Sequence, residues 1–190
     1  WLVMLLAVSF LMLDGCLVTF SQAPIEAQPA PKQLLGKWVS KDAWGQARTL
    51  EISAIDKTRY QAVVYPKGEP KARERYIFIV ARHGSRWYAS AAIPAKLGGN
   101  HTLSGFELTD NGELVIYDLD LDQVKQAIGQ SVLQGDPVET AEGTGTLIKS
   151  PSAEVFAYLD DPANSDVFVE AARYKRVAKC RSHLTEAAGG

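Results

Sequence analysis

Three aspartates spaced two apart, Asp118, Asp120 and Asp122, are the densest set of ligand-type side chains in the chain. Alternate carboxylates of this kind open a calcium loop, but the rest of such a loop is missing. Gln123 stands where the sharp turn needs glycine, and Gly129 stands where the bidentate glutamate belongs. A helix start explains the cluster instead, with Asp120 as its cap and Asp122 in a first turn where the helix dipole favours negative charge. His83, His101 and His183 share no short metal-ligand spacing with a cysteine or carboxylate, so no zinc site is expected. There is no Gly-x-Ser-x-Gly elbow, no phosphate loop and no dinucleotide fingerprint, so neither a cofactor nor a catalytic residue is expected. Two cysteines, Cys16 and Cys180, could form one disulfide in an oxidising compartment. Lys179 and Arg181 flank Cys180 and would favour its thiolate if it were exposed, but the nearest candidate base in sequence is His183, and a structural role is expected.

Cys16 closes an apolar run from Leu2 to Leu13 that only Ser9 interrupts. At about 1.5 Å per residue a run of about 12 positions covers about 18 Å, short of a hydrocarbon core of about 30 Å. Its length suits the apolar region of a signal peptide, and residues 1–15 are expected to be one, with a basic segment before them. A buried N-terminal helix is the alternative. Leu13-Asp14-Gly15-Cys16 resembles the lipobox of bacterial lipoproteins, with Asp14 where that pattern has a small uncharged residue. The resemblance implies cleavage before Cys16 and a diacylglyceryl thioether on its sulfur, which would rule out the disulfide. It also implies a lipid-anchored protein of the bacterial envelope. Leu17, where a retention signal would place Asp, implies the outer membrane, with the domain facing the periplasm. The rival is an ordinary secretory cleavage near Ser21-Gln22-Ala23, directly before Pro24.

Residues 16–33 carry three prolines and no periodicity, which predicts a lipid-anchored, semi-extended tether. A single globular domain is expected over 34–180, followed by a flexible tail over 181–190. At 190 residues, with 46% hydrophobic and 22% charged positions, the chain can close one core. The 20 basic and 22 acidic residues nearly cancel without long blocks, which argues against a nucleic-acid partner.

The elements of that domain read mostly as strands, from "LLGKWVS" and "TLEIS" through "RYQAVVY", "RYIFIVA", "RWYASAA", "TLSGFEL", "ELVIYDL" and "GTGTLIK" to "ARYKRVA". Turns at Pro66-Lys67-Gly68, His83-Gly84-Ser85 and Asp110-Asn111-Gly112 separate neighbours. "RYIFIVA", apolar on both faces, predicts a strand covered on both sides. Two short helices are expected, one capped by Asp120 and ending at Gly129, the other capped by Ser150 with Pro151 in its first position. About nine antiparallel strands with short turns favour an α+β, mainly antiparallel fold, a curled sheet or a barrel, because closure removes exposed edges. Trp38, Tyr76, Phe78, Trp87 and Phe106 can share one face, and Val155, Phe156 and Leu159 of the second helix are expected to help fill the interior.

Gly36-Lys37-Trp38 resembles the Gly-x-Trp opening of lipocalin-type barrels. From Trp38 to Val177 the chain also resembles a group of bacterial proteins, many of them lipid-anchored. The likeness lies in Gly112-Glu113-Leu114, Leu147-Ile148-Lys149-Ser150, Asp166-Val167-Phe168 and Tyr174-Lys175-Arg176-Val177. These resemblances imply a lipocalin-like sheet and transfer no catalytic residue. The expected role is a non-catalytic envelope lipoprotein that binds a protein partner or supports an assembly, with a largely packed core; the alternative is a carrier or sensor of a small apolar ligand. A dry, filled interior would favour the first, and an open apolar pocket the second. The loop Leu97-Gly98-Gly99-Asn100-His101 is the candidate binding loop.

Overall fold

In the computed structural model, which describes residues 18–41, 47–93, 99–140 and 143–178, seven strands run in succession around a barrel and an eighth closes it. The seven are β2 (Gly36–Lys41), β3 (Ala47–Ala54), β4 (Arg59–Pro66), β5 (Glu74–His83), β6 (Arg86–Ala91), β7 (Ser104–Leu108) and β8 (Glu113–Leu119). The closing strand is β11 (Phe168–Arg176), antiparallel to both β8 and β2. Mostly antiparallel structure with a few short helices is what the alternation and turn chemistry predict, and the closed barrel is consistent with the lipocalin-like expectation. The described residues form eleven strands where about nine were expected. The two unforeseen strands are β1 (Val18–Phe20) and β9 (Gly135–Thr140), which flank β10 (Gly143–Ile148) in a separate three-stranded sheet.

That small sheet lies outside the barrel with two helices, α1 (Leu121–Gly129) and α2 (Ser152–Leu159). Leu121, Val124, Val155, Phe156 and Leu159 pack there with Val18, Phe20 and Ile25, against Ala81 and Tyr88 of the barrel's outer wall. This corrects the expectation that α2 helps fill the interior, since helical spacing defines an apolar face without saying which side of a sheet it meets. The same outer layer gives β5 its two covered faces. Phe78 and Val80 point inward while Ala81 is buried outside, although Ile77 on the outer face is 57% exposed.

The helix starts divide. Asp120 caps α1 as expected, its Oδ1 accepting from Gln123 N–H at 2.8 Å. Ser150 does not cap α2; its Oγ accepts from Gln134 N–H at 2.8 Å, and Pro151 occupies the cap position. Gly129 is the last residue of α1 as expected, with Gln130 as the cap and the chain turning through positive φ at Ser131.

The expected tether is a correction of larger consequence. Val18, Thr19 and Phe20 are all buried, and β1 pairs in parallel with β10. Phe20 exchanges two backbone hydrogen bonds of 2.8 Å with His101. Farther along, Gln28 N–H donates to Val80 O at 2.7 Å, and Ala30 N–H to the Tyr60 hydroxyl at 2.7 Å. The prolines break regular structure without freeing the chain, because Ile25 and Leu34 are anchored in the two cores. Residues 1–17, including Cys16, and residues 179–190, including Cys180 and His183, lie outside the described residues.

The residues of the Gly-x-Trp motif pack together at one end of the barrel. Trp38, 1% exposed, donates from Nε1 to Leu34 O at 3.0 Å. The Arg176 guanidinium lies 4.3 Å from the Trp38 ring centre and donates to the carbonyls of Leu35, at 3.0 Å, and Gln33. Gly36 has φ of +134°, and a Cβ there would sit 2.8 Å from Arg176 Nη1, so the position requires glycine.

Candidate functional site: the barrel lumen

Strand alternation sends one row of side chains from each barrel strand inward. Trp38, Leu50, Ile52, Tyr60, Val64, Phe78, Val80, Phe106, Leu114 and Tyr174 form the buried interior cluster. Among them sit Ala62, Ala89, Ala91, Ile116 and Ala172, packed against the same cluster yet only partly buried. The register fixes their direction. Ala62 lies opposite Ile52 and Tyr76, Ala89 opposite Val80, Ala91 opposite Phe78, and Ile116 opposite both Phe106 and Ala172. Four of the five are alanines, which take up little of the interior, and all five keep some surface accessible to water.

Polar groups also lie on this inner face. Asp118, next inward on β8 after Ile116, accepts from Ser104 Oγ at 2.9 Å. More than a third of Asp118 is accessible to water, yet burial raises its carboxyl pKa, with the Ser104 hydrogen bond opposing the shift. On a concave wall a side chain touches water while protein surrounds it, and the direction of the shift follows from that shape. Tyr76 donates to Glu74, and burial first, then Glu74, pushes its phenol up. Burial also raises the Tyr174 phenol, while Arg48 nearby pulls it down. An apolar floor with a hydrogen-bonding rim can hold a small molecule that has an apolar body and one polar end.

The remaining candidates do other work. His83 Nδ1 meets Asp160 Oδ2 at 2.7 Å and its ring stacks on Phe156 with centres 4.1 Å apart, which ties the β5–β6 turn to the end of α2. Nothing in the sequence marked Asp160 as its partner, since the two are joined only through the outer layer. Asp118 and Asp120 diverge, one toward Ser104 and the other onto a helix N–H, so the carboxylate run does not converge on a point. Among the described residues no group of three or more His, Cys, Asp or Glu side chains could hold a metal ion. Of the candidate loop, Leu97 and Gly98 lie outside the described residues. Gly99 has φ of +68°, Asn100 O accepts from Ile93 N–H at 2.7 Å, and His101 is the residue that holds β1. No described helix is long and apolar enough to cross a membrane.

No family model matches the chain, and no curated protein or solved structure is significantly similar to it. Fold and site geometry therefore carry the functional argument.

Proposed function

We propose that this protein is a non-catalytic carrier or sensor of a small, largely apolar molecule, held at the envelope membrane of a bacterium by lipid on Cys16. The observation that carries the ligand half is a set of water-reached residues on the barrel's inner face. Ala62, Ala89, Ala91, Ile116 and Ala172 face inward and remain reachable by water inside a closed barrel. A barrel built only as a scaffold gains stability by packing its inner face, so positions there that water still reaches support a ligand role. The anchor half rests on the lipobox resemblance alone. A protein partner is the second reading, favoured by β9, whose outer edge has no strand beside it among the described residues and could accept one.

The test is to purify the full chain from its own envelope and identify small molecules bound in stoichiometric amount, beside an Ala91→Phe variant that fills the lumen. A molecule present in the parent and missing from the variant supports the carrier. A parent free of small molecules, or a molecule that the variant retains equally, overturns it, and a stoichiometric protein in their place promotes the second reading. Lipid labelling that persists after Cys16→Ala would separately remove the anchor.

A further inference from the structure

The Trp38 end of the barrel carries a cleft. Between residues 31–33, the β5–β6 turn and the β7–β8 turn lies a half-open cavity of about 630 Å³, walled by Trp38, Trp87, Phe106 and Leu108. None of the five water-reached inner-face residues lines it, although Trp38 and Phe106 belong to the interior cluster, so it is a cleft at one end of the barrel interior. Its volume falls within the range of about 300–1,000 Å³ typical of small-molecule sites. Trp87 stacks with Phe106 at 6.0 Å between ring centres and 25° between planes, and Trp87 stays only partly buried, leaving aromatic surface to the cleft.

The charges around this cleft are unequally occupied. Arg176 is spent on the Trp38 ring and two carbonyls. Arg86 lies over the Phe168 ring at 4.0 Å and the Tyr117 ring at 4.8 Å. Glu113 is held by Arg173 at 2.7 Å and by Lys175 at 3.9 Å, and Glu107 accepts from the Tyr117 hydroxyl. Asp110 is exposed on the β7–β8 turn. Arg82 is the exception among the cations. Its backbone N–H donates to Gln28 Oε1 at 3.1 Å, but no hydrogen bond, ion pair or ring contact occupies its guanidinium among the described residues. It is directly opposite Trp87 in the β5–β6 ladder, so the free cation and the accessible indole stand side by side on one face.

We propose that this cleft is a second ligand site, at the Trp38 end of the barrel and apart from the inner face around Ala91, for a planar aromatic monoanion whose ring stacks on Trp87 and whose carboxylate pairs with Arg82. Guanidinium and carboxylate match in a two-point geometry, and an aromatic wall beside the cation suits the ring that carries the acid.

Calorimetric titration of the full chain with biphenyl-4-carboxylate, its neutral carboxamide and biphenyl-4-methylamine tests this. The carboxylate is expected to bind saturably and about tenfold more tightly than the carboxamide, with the amine weakest. Arg82→Gln should bring the carboxylate down to the carboxamide, and Trp87→Leu should weaken both together. Ala91→Phe, which fills the lumen, should change none of the three, so failure of the lumen reading and failure of this one are separable. Equal affinity for acid and amide, an acid preference that survives Arg82→Gln, loss of binding on filling the lumen, or no saturable binding of any probe would each overturn the proposal.

Discussion

Phe20→Ala separates a tether from a structural strand more sharply than any other single change. The side chain is 3% exposed and packs in the outer core with Val18, Ile25 and residues of both helices, while its backbone is fixed to His101. Truncating a buried Phe costs about 3–5 kcal/mol, from lost transfer energy and from a cavity that rigid neighbours cannot close. Against a total stability of about 5–15 kcal/mol, that is a large share. With a urea slope of about 2 kcal/mol per molar, the unfolding midpoint should fall by roughly 2 M at unchanged slope. The assay is urea unfolding of the full chain followed by tryptophan fluorescence, with parent and variant measured side by side. The substitution leaves all four tryptophans in place, so the same probe follows both proteins while the midpoint moves. A change within about 0.5 kcal/mol, as for a solvated surface position, would refute the packing of residues 18–20 and restore the tether.

Gly36→Ala should cost about 1–3 kcal/mol in the same assay, because the backbone is left-handed and Arg176 occupies the space a Cβ needs; a neutral outcome would contradict the packing at Trp38. Asp120→Ala should cost about 1 kcal/mol through the lost cap, and millimolar calcium should leave the melting temperatures of parent and variant unchanged, with a calcium-dependent rise in the parent alone counting against the capping role. Asp118→Asn should become the more stable protein, relative to parent, as pH rises. A carboxyl whose folded pKa is raised contributes stability that is full below its unfolded pKa and lost as pH rises through the folded one, and the amide has no such loss. A parent-to-variant difference that stays flat from acid to neutral pH would show that Asp118 is not on a concave wall.

The barrel strands were legible because each carries period-two alternation bounded by turn residues. The β5–β6 hairpin is the clearest case, with Gly84 at φ of +57° between His83 and Arg86. β9 was not legible, since "GDPVET" holds a proline and two acids and reads as a loop, and it is a strand only because β10 pairs with it. β1 is three residues long inside a proline-rich stretch, too short for any period. The apolar face of α2 was visible, but its position outside the barrel depends on Ala81 and Tyr88 presenting a second apolar surface to it. The lumen was hidden for a different reason: alternation tells which way Ala62 or Ala91 points, whereas the space left before it depends on how far the opposite strands stand. Arg82 read as one more charge at a strand end, and its vacancy emerges only when the partners of Arg86 and Arg176 are known.

The barrel is closed by the last strand among the described residues, and that fixes an order of events in folding. Before β11 is available, β2 and β8 are the two unpaired edges of a curled seven-stranded sheet whose inner face is apolar. Such a sheet is prone to pair with another copy of itself. The pairings that end this exposure, Val39 with Lys175 and Trp38 with Arg176, join opposite ends of the domain, and contacts so distant in sequence form slowly. A chain cut before Phe168 therefore becomes an aggregating sheet, not a smaller barrel, and a newly made chain gains protection only once its final strand has docked.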